Sequence, residues 1–239
     1  SGEALNECIT GEGWPSKPER KRRLEEAVRI IYDLWTGKSV TYHGLIHIEN
    51  ATLYTQPERP PSIIGAANTP QTAEWVARWA DGLITISRSR EELQKLIEAF
   101  RRGGGEGKSM YLQVKLSYSR DDETARQGAY EQWHTNVLQN NMLEELRTPQ
   151  EFEQAARAVP SADLDKQVRI SADLTQHIEW LREDLDMGFT HLYLHNVNRE
   201  QATFIEAFGK AVLPALDKAD TRRPQGTKAH SYMRITRSI

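Results

Sequence analysis

The chain has 239 residues, 38% hydrophobic and 27% charged, with a net charge of −3 from 31 Lys+Arg against 34 Asp+Glu. That balance excludes a general nucleic-acid coat and a polybasic membrane binder. No apolar run approaches the roughly 18–20 residues that span a bilayer, and the single cysteine, Cys8, excludes disulfide scaffolds and Cys-based zinc sites. Ser1 to Thr10 lacks the apolar stretch of an export signal, so a cytoplasmic globular protein is expected.

Residues 1–15 read as a loop, punctuated by Gly2, Gly11, Gly13 and Pro15. A helix is predicted over Glu19–Trp35, where Leu24, Val28, Ile31, Leu34 and Trp35 share one face and Gly37 follows as a stop. Residues 39–55 alternate loosely and predict an extended or hairpin excursion. A repeated rhythm then begins. Ser62–Ala67 is a short strand, and Thr69 caps a helix that opens on Pro70 and runs through Trp79. Leu83–Ile86 is a second strand and Glu91–Arg101 a second helix. Met110–Tyr118 is the third strand, with Leu112, Val114, Leu116 and Tyr118 on one face and Tyr111, Gln113, Lys115 and Ser117 on the other. A helix-rich stretch covers Asp121 to Val159. Val168–Ser171 is extended, Gln176–Asp186 helical, His191–His195 a fourth strand and Glu200–Leu216 a last helix. The domain therefore spans 1–216, and residues 217–239 read as a flexible tail.

Strands separated by amphipathic helices predict an α/β fold with a parallel sheet, either doubly wound or a (β/α) barrel. No G-x-G-x-x-G follows a strand, so the dinucleotide fingerprint is absent.

Several residue groups carry candidate chemistry. Ala66-Ala67-Asn68-Thr69-Pro70 ends a strand and starts a capped helix, a geometry that aims backbone amides at a phosphate; an ordinary strand-to-helix turn is the alternative. Gly103–Gly107 follows a helix and precedes a strand, so a flexible connector is expected there. Glu131-Gln132-Trp133-His134 has di-iron spacing but no second copy. His43 and His47 are four apart in a segment that reads as extended, so no metal site is expected. Arg20–Arg23 reads as a solvated helix face. Lys115, on the polar strand face with Gln113, needs a carboxylate partner or a shifted pKa; a structural role is favoured over a site role.

The opening Ser1-Gly2-Glu3-Ala4-Leu5-Asn6-Glu7, followed by Gly13-Trp14-Pro15, resembles the luciferase-like flavin oxidoreductases, near the deazaflavin-dependent glucose-6-phosphate dehydrogenases. The similarity continues through Ala66–Pro70, Trp79–Ile84, Val114–Tyr118, Met187–Leu192, His195 and Phe204 to Pro214. The resemblance implies a (β/α)8 TIM-type barrel with its cofactor at the C-terminal ends of the strands. It implies that the four strands are the fifth to eighth and that the chain is a truncated barrel. An open inner sheet face would drive association into a homo-oligomer.

By the same resemblance, Glu3 matches an acid/base residue, Asn6 a cofactor-contacting residue, and Ala67, Asn68 and Thr69 the turn that holds the cofactor's side-chain phosphate. The family turn is often Gly-Gly-Pro, whereas this chain has Asn68-Thr69-Pro70. Positions that clamp a sugar phosphate in the relatives read Ser89, Leu143 and Gln167, which argues against glucose 6-phosphate. Arg88 and Arg169 lie nearby, out of register. Trp79–Thr85 resembles a sister branch that uses an ordinary flavin, so FMN is the expected cofactor and coenzyme F420 the alternative. The expected function is hydride transfer to or from that cofactor on a small-molecule substrate, as a monooxygenase or a dehydrogenase. A non-catalytic half-barrel and a phosphate-binding hydrolase or isomerase barrel are the competing readings.

Overall fold

The structure is a computed structural model, and it describes residues 4–11, 13–138, 140–157 and 159–220. By packing, the chain divides into two compact units, residues 1–63 with 138–154 and residues 64–137 with 155–239.

The first unit begins with α1 (Ala4–Glu7) and a 3₁₀ turn ended by Gly11 at φ 78°. α2 (Lys17–Trp35) starts two residues before the prediction, because Ser16 and the proline at its first turn suit a helix start. Arg20, from the basic run, lies 4.1 Å above the Trp14 ring and donates to the Pro15 carbonyl. That cation–π contact is structural. β1 (Val40–His43) and β2 (His47–Ala51) form the antiparallel hairpin, with Val40, Tyr42 and Ile48 half-buried and Thr41, His43, His47 and Glu49 exposed. The alternation is the period of a one-sided strand pair.

The second unit carries the βα rhythm. β3 (Ile64–Ala66), α3 (Pro70–Val76), β4 (Gly82–Ile86), α4 (Arg90–Phe100) and β5 (Ser109–Ser117) follow in order. α5 (Asp122–Trp133) comes next. α6 (Asn140–Glu145) belongs to the first unit and packs on α1. α7 (Pro149–Ala156) crosses back, and β6 (Arg169–Ile170), α8 (Leu174–Asp186), β7 (His191–Asn196), α9 (Gln201–Ala207) and α10 (Leu213–Asp220) complete the chain. α10 runs to Asp220, four residues past the expected end of the last helix at Leu216. Residues 221–239 lie outside the described residues.

β3, β4, β5 and β7 are parallel neighbours in chain order, and β6 joins the C-terminal end of β5 through Leu116 and Ser117. A doubly wound sheet reverses its strand order at a switch point. This sheet does not, so it is an arc of a (β/α) barrel. Leu83, Leu112, Val114, Leu116, Leu192 and Leu194 face helices α3, α4, α8 and α9 and bury against Leu96, Phe100, Leu181, Phe204 and Phe208. Each large buried side chain of this kind contributes about 1.5–3 kcal/mol from apolar burial.

Local chemistry explains the helix ends. Thr69, Ser89, Asp121 and Asp173 accept backbone N–H bonds at the starts of α3, α4, α5 and α8, and Ser89 with Glu92 forms a reciprocal capping box. Lys108 Nζ donates to the Ala77 and Ala80 carbonyls at 2.7 and 2.9 Å and so closes the end of α3. The glycine run is not a flexible connector. Residues 101–105 form a wide helical turn, Gly104 takes φ 104°, and Gly103 lies so close to the Glu74 backbone that a Cβ would collide with its carbonyl. The prediction failed because glycine content signals close approach as readily as freedom.

His177 is 1% exposed and its Nε2 donates to the Ser171 carbonyl at 2.9 Å. Burial holds its pKa below the usual 6.5. The folded state therefore binds fewer protons than the unfolded chain near that pH. This stabilisation is fully present above pH 6.5 and is lost as pH falls through the folded value. Urea unfolding at pH 7.5 and 5.5 should show lower stability at the acid end, with a smaller difference in His177→Gln. An equal difference in both proteins would refute the assignment.

Candidate functional site

In barrels of this type chemistry sits at the C-terminal ends of the strands. In the second unit those ends carry the Ala66–Pro70 turn, Arg88, Lys115 and His195.

At the turn, the Ala67 N–H is bonded to the Ile84 carbonyl at 3.0 Å and the residue is buried, so Ala67 contributes shape rather than a donor. Thr69 Oγ1 accepts from the Thr72 N–H at 3.3 Å and caps α3. The Asn68, Thr69 and Gln71 amides have no partner among the described residues and lie at the helix start. That donor set suits an anionic group.

The polar sheet face supplies the second part. Tyr111 stacks on His191 with centroids 4.4 Å apart and on Tyr193 at 6.1 Å. Above this ladder, Lys115 and His195 are register partners. Lys115 is 5% exposed, and among the described residues its Nζ reaches only the neutral Gln167 Oε1, at 3.4 Å. Gln167 Nε2 in turn donates to the Val137 carbonyl. Burial first, and the Arg88 charge second, bring the Lys115 ammonium down to about 8. His195 is lowered by burial and by Lys115, and Arg88 is lowered by burial against the opposing pull of Glu92. Arg88 Nε and Nη2, His195 Nδ1 and Trp133 Nε1 are buried without a hydrogen-bond partner among the described residues. Trp133 meets the His195 ring edge-on at 5.0 Å. Unpaired buried polar groups are costly, and these gather beside the C-terminal ends of β4, β5 and β7, where they suit an oxygen-bearing ligand.

A buried network fixes the frame behind this cluster. Asn196 Oδ1 accepts the Tyr118 N–H, Asn198 Nδ2 donates to Ser117 Oγ and the Tyr118 carbonyl, and Ser119 Oγ donates to Glu200. These bonds lock the C-terminal ends of β5 and β7 together.

The profile of the luciferase-like monooxygenase family matches residues 2–191. The chain belongs to that family. Luciferase-like relatives include an F420-dependent glucose-6-phosphate dehydrogenase of Microbacterium testaceum, 34% identical over 91% of this chain and 67% of the relative. A second, of Mycolicibacterium gilvum, is 34% identical over 91% of this chain and 68% of its own length. Among solved structures, an F420-dependent secondary alcohol dehydrogenase in complex with an F420-acetone adduct superposes with TM-score 0.79 at 25% identity, over 90% of this chain and 67% of that one. An EDTA monooxygenase superposes with TM-score 0.66 at 11% identity, which speaks to the fold alone. The chain thus spans about two thirds of the length of the curated relatives it matches. Their names carry F420 rather than FMN.

Of the residues singled out from sequence, Ala67, Asn68 and Thr69 share the turn of the luciferase-like barrel arc. Asn6 is exposed on α1 in the other unit, and Glu3 lies outside the described residues. Arg169 is engaged elsewhere: its guanidinium grips Asp184 at 2.5 and 2.8 Å. Ser89 is occupied as a cap. Lys115 has no carboxylate partner among the described residues; burial and the Arg88 charge lower its pKa instead. Sequence reasoning missed Arg88 and His195 as its companions. Their signal was their place at the ends of β4 and β7, legible only once the strands are aligned. No helix among the described residues is long and apolar enough to cross a membrane.

Proposed function

We propose that the chain carries the cofactor-phosphate turn and the substrate-oxygen cluster of an F420-dependent dehydrogenase acting on an alcohol or hemiacetal. The observation that supports this most is the pairing, at one end of one parallel sheet, of an amide-lined turn with the Arg88–Lys115–His195 cluster. The Asn68, Thr69 and Gln71 amides would hold the cofactor phosphate. The bound cofactor would accept the hydride. Lys115 would hold the substrate oxygen as it gains negative charge, with Arg88 beside it and Trp133 limiting water. Glu3 is proposed to move the proton and Asn6 to contact the cofactor. The F420 names of the relatives favour F420 over FMN. Ser89, Leu143 and Gln167 supply no cation for a sugar phosphate, so glucose 6-phosphate is not proposed as the substrate. The protein is proposed to act in the cytoplasm on a small molecule.

Separate titrations of F420 and FMN, followed by absorbance, test the reading in this chain and in a form extended to the relatives' full length. F420 should bind more tightly. Tighter FMN would overturn the cofactor assignment, and binding of neither by the extended form would overturn the functional reading.

A further inference from the structure

We propose that the β1–β2 hairpin carries a divalent transition-metal site, with His43 and His47 as ligands and Glu49 as their outer partner. His43 and His47 are cross-strand register partners, not residues one helical turn apart. Cross-strand pairing brings their Nδ1 atoms to 3.1 Å, with ring centroids 4.4 Å apart. Two imidazole nitrogens on one tetrahedral ion, each at about 2.0–2.1 Å, sit roughly 3.3 Å from each other. The pair therefore already has the bite of a chelate. Among the described residues, His43, His47 and Glu49 are the group whose donor atoms all lie within 4.8 Å of one another.

Glu49 Oε1 lies 3.4 Å from His47 Nε2 and can orient that ring when Nε2 carries its hydrogen. With no ion bound, the 3.1 Å contact needs a hydrogen on one of the two Nδ1 atoms. Metal binding requires that hydrogen on Nε2 instead, so that both Nδ1 lone pairs turn to the ion. A carboxylate behind a ligating imidazole orients the ring and raises its basicity. Two imidazoles with open water positions select Zn²⁺, Ni²⁺ or Cu²⁺ over Mg²⁺ and Ca²⁺, which take oxygen ligands.

The platform is held in place. The Ile46 N–H donates to Glu26 of α2 at 3.1 Å, Gly44 N–H to the Ile46 carbonyl at 3.1 Å, and Asn50 N–H to Thr41 Oγ1 at 3.0 Å. Tyr42 and the Glu26 carboxylate pack so tightly on Gly44 that no Cβ fits there. The three side chains of the site are exposed, so ion and waters reach them without rearrangement.

The test is calorimetric titration of the full, tag-free chain with ZnCl₂ at pH 7.5. One saturable equivalent is expected. His43→Asn and His47→Asn should each weaken it by about tenfold or more, and Glu49→Gln by about tenfold. Long-range ¹H–¹⁵N spectra should show both His43 and His47 as Nε2–H tautomers on saturation. Circular dichroism verifies that the exposed substitutions leave the fold intact. Absence of a saturable equivalent, or one that survives the double His43→Asn/His47→Asn variant, overturns the site.

Discussion

Arg169→Met is expected to lower the unfolding free energy of the parallel-sheet unit by about 3–5 kcal/mol. Asp184 is 2% exposed, and Arg169 is its bidentate partner across β6 and α8. Removing the guanidinium strands a carboxylate in a place water does not reach. The magnitude comes from that stranded charge rather than from the attraction of the pair, so Arg169→Met combined with Asp184→Leu should recover most of the loss. Urea denaturation measures both. A loss below about 1 kcal/mol, the range of an exposed pair, would show that the ion pair is solvated.

Lys115→Met is expected to reduce kcat/KM by about 10²–10³-fold, the cost of removing one preorganised donor from a developing oxyanion. The pH dependence gives the sharper test. Lys115 titrates at about 8, so it is protonated below that value and can donate charge there. Activity should therefore fall as pH rises through 8. Lys115→Arg keeps a cation that does not titrate in this range, so its profile should lose that limb. Arg88, the second cause of the lowered pKa, acts in the same direction: Arg88→Met should move the limb upward. An unaltered limb in Lys115→Arg would remove Lys115 from the site. The proposed metal site is in the other unit, and its failure would leave this profile untouched.

Much of the fold was legible before any coordinates. The β3–α3–β4–α4–β5 succession follows from period-2 and period-3.6 patterning, and the start of α3 from Thr69. The errors were where a residue type has two uses. The glycine run after α4 is a tight wide turn against α3, and the last helix extends to Asp220. Similarity over most of the chain also made the family legible, but it pointed to Ala67 for a donor whose N–H is held by Ile84.

Sequence by itself determined the order of strands and helices and the Thr69 cap, because those depend on neighbours three or four residues away, and similarity along most of the chain determined the family. Tertiary structure alone decided which charges are available. Arg88 and Arg169 look alike in the chain, yet one has unpaired donors beside Lys115 and the other is neutralised by Asp184. His43 and His47 look like an idle i, i+4 pair until β1 and β2 face each other. Pairing of charges and lone pairs acts through space over a few ångströms, and sequence separation carries no record of that distance.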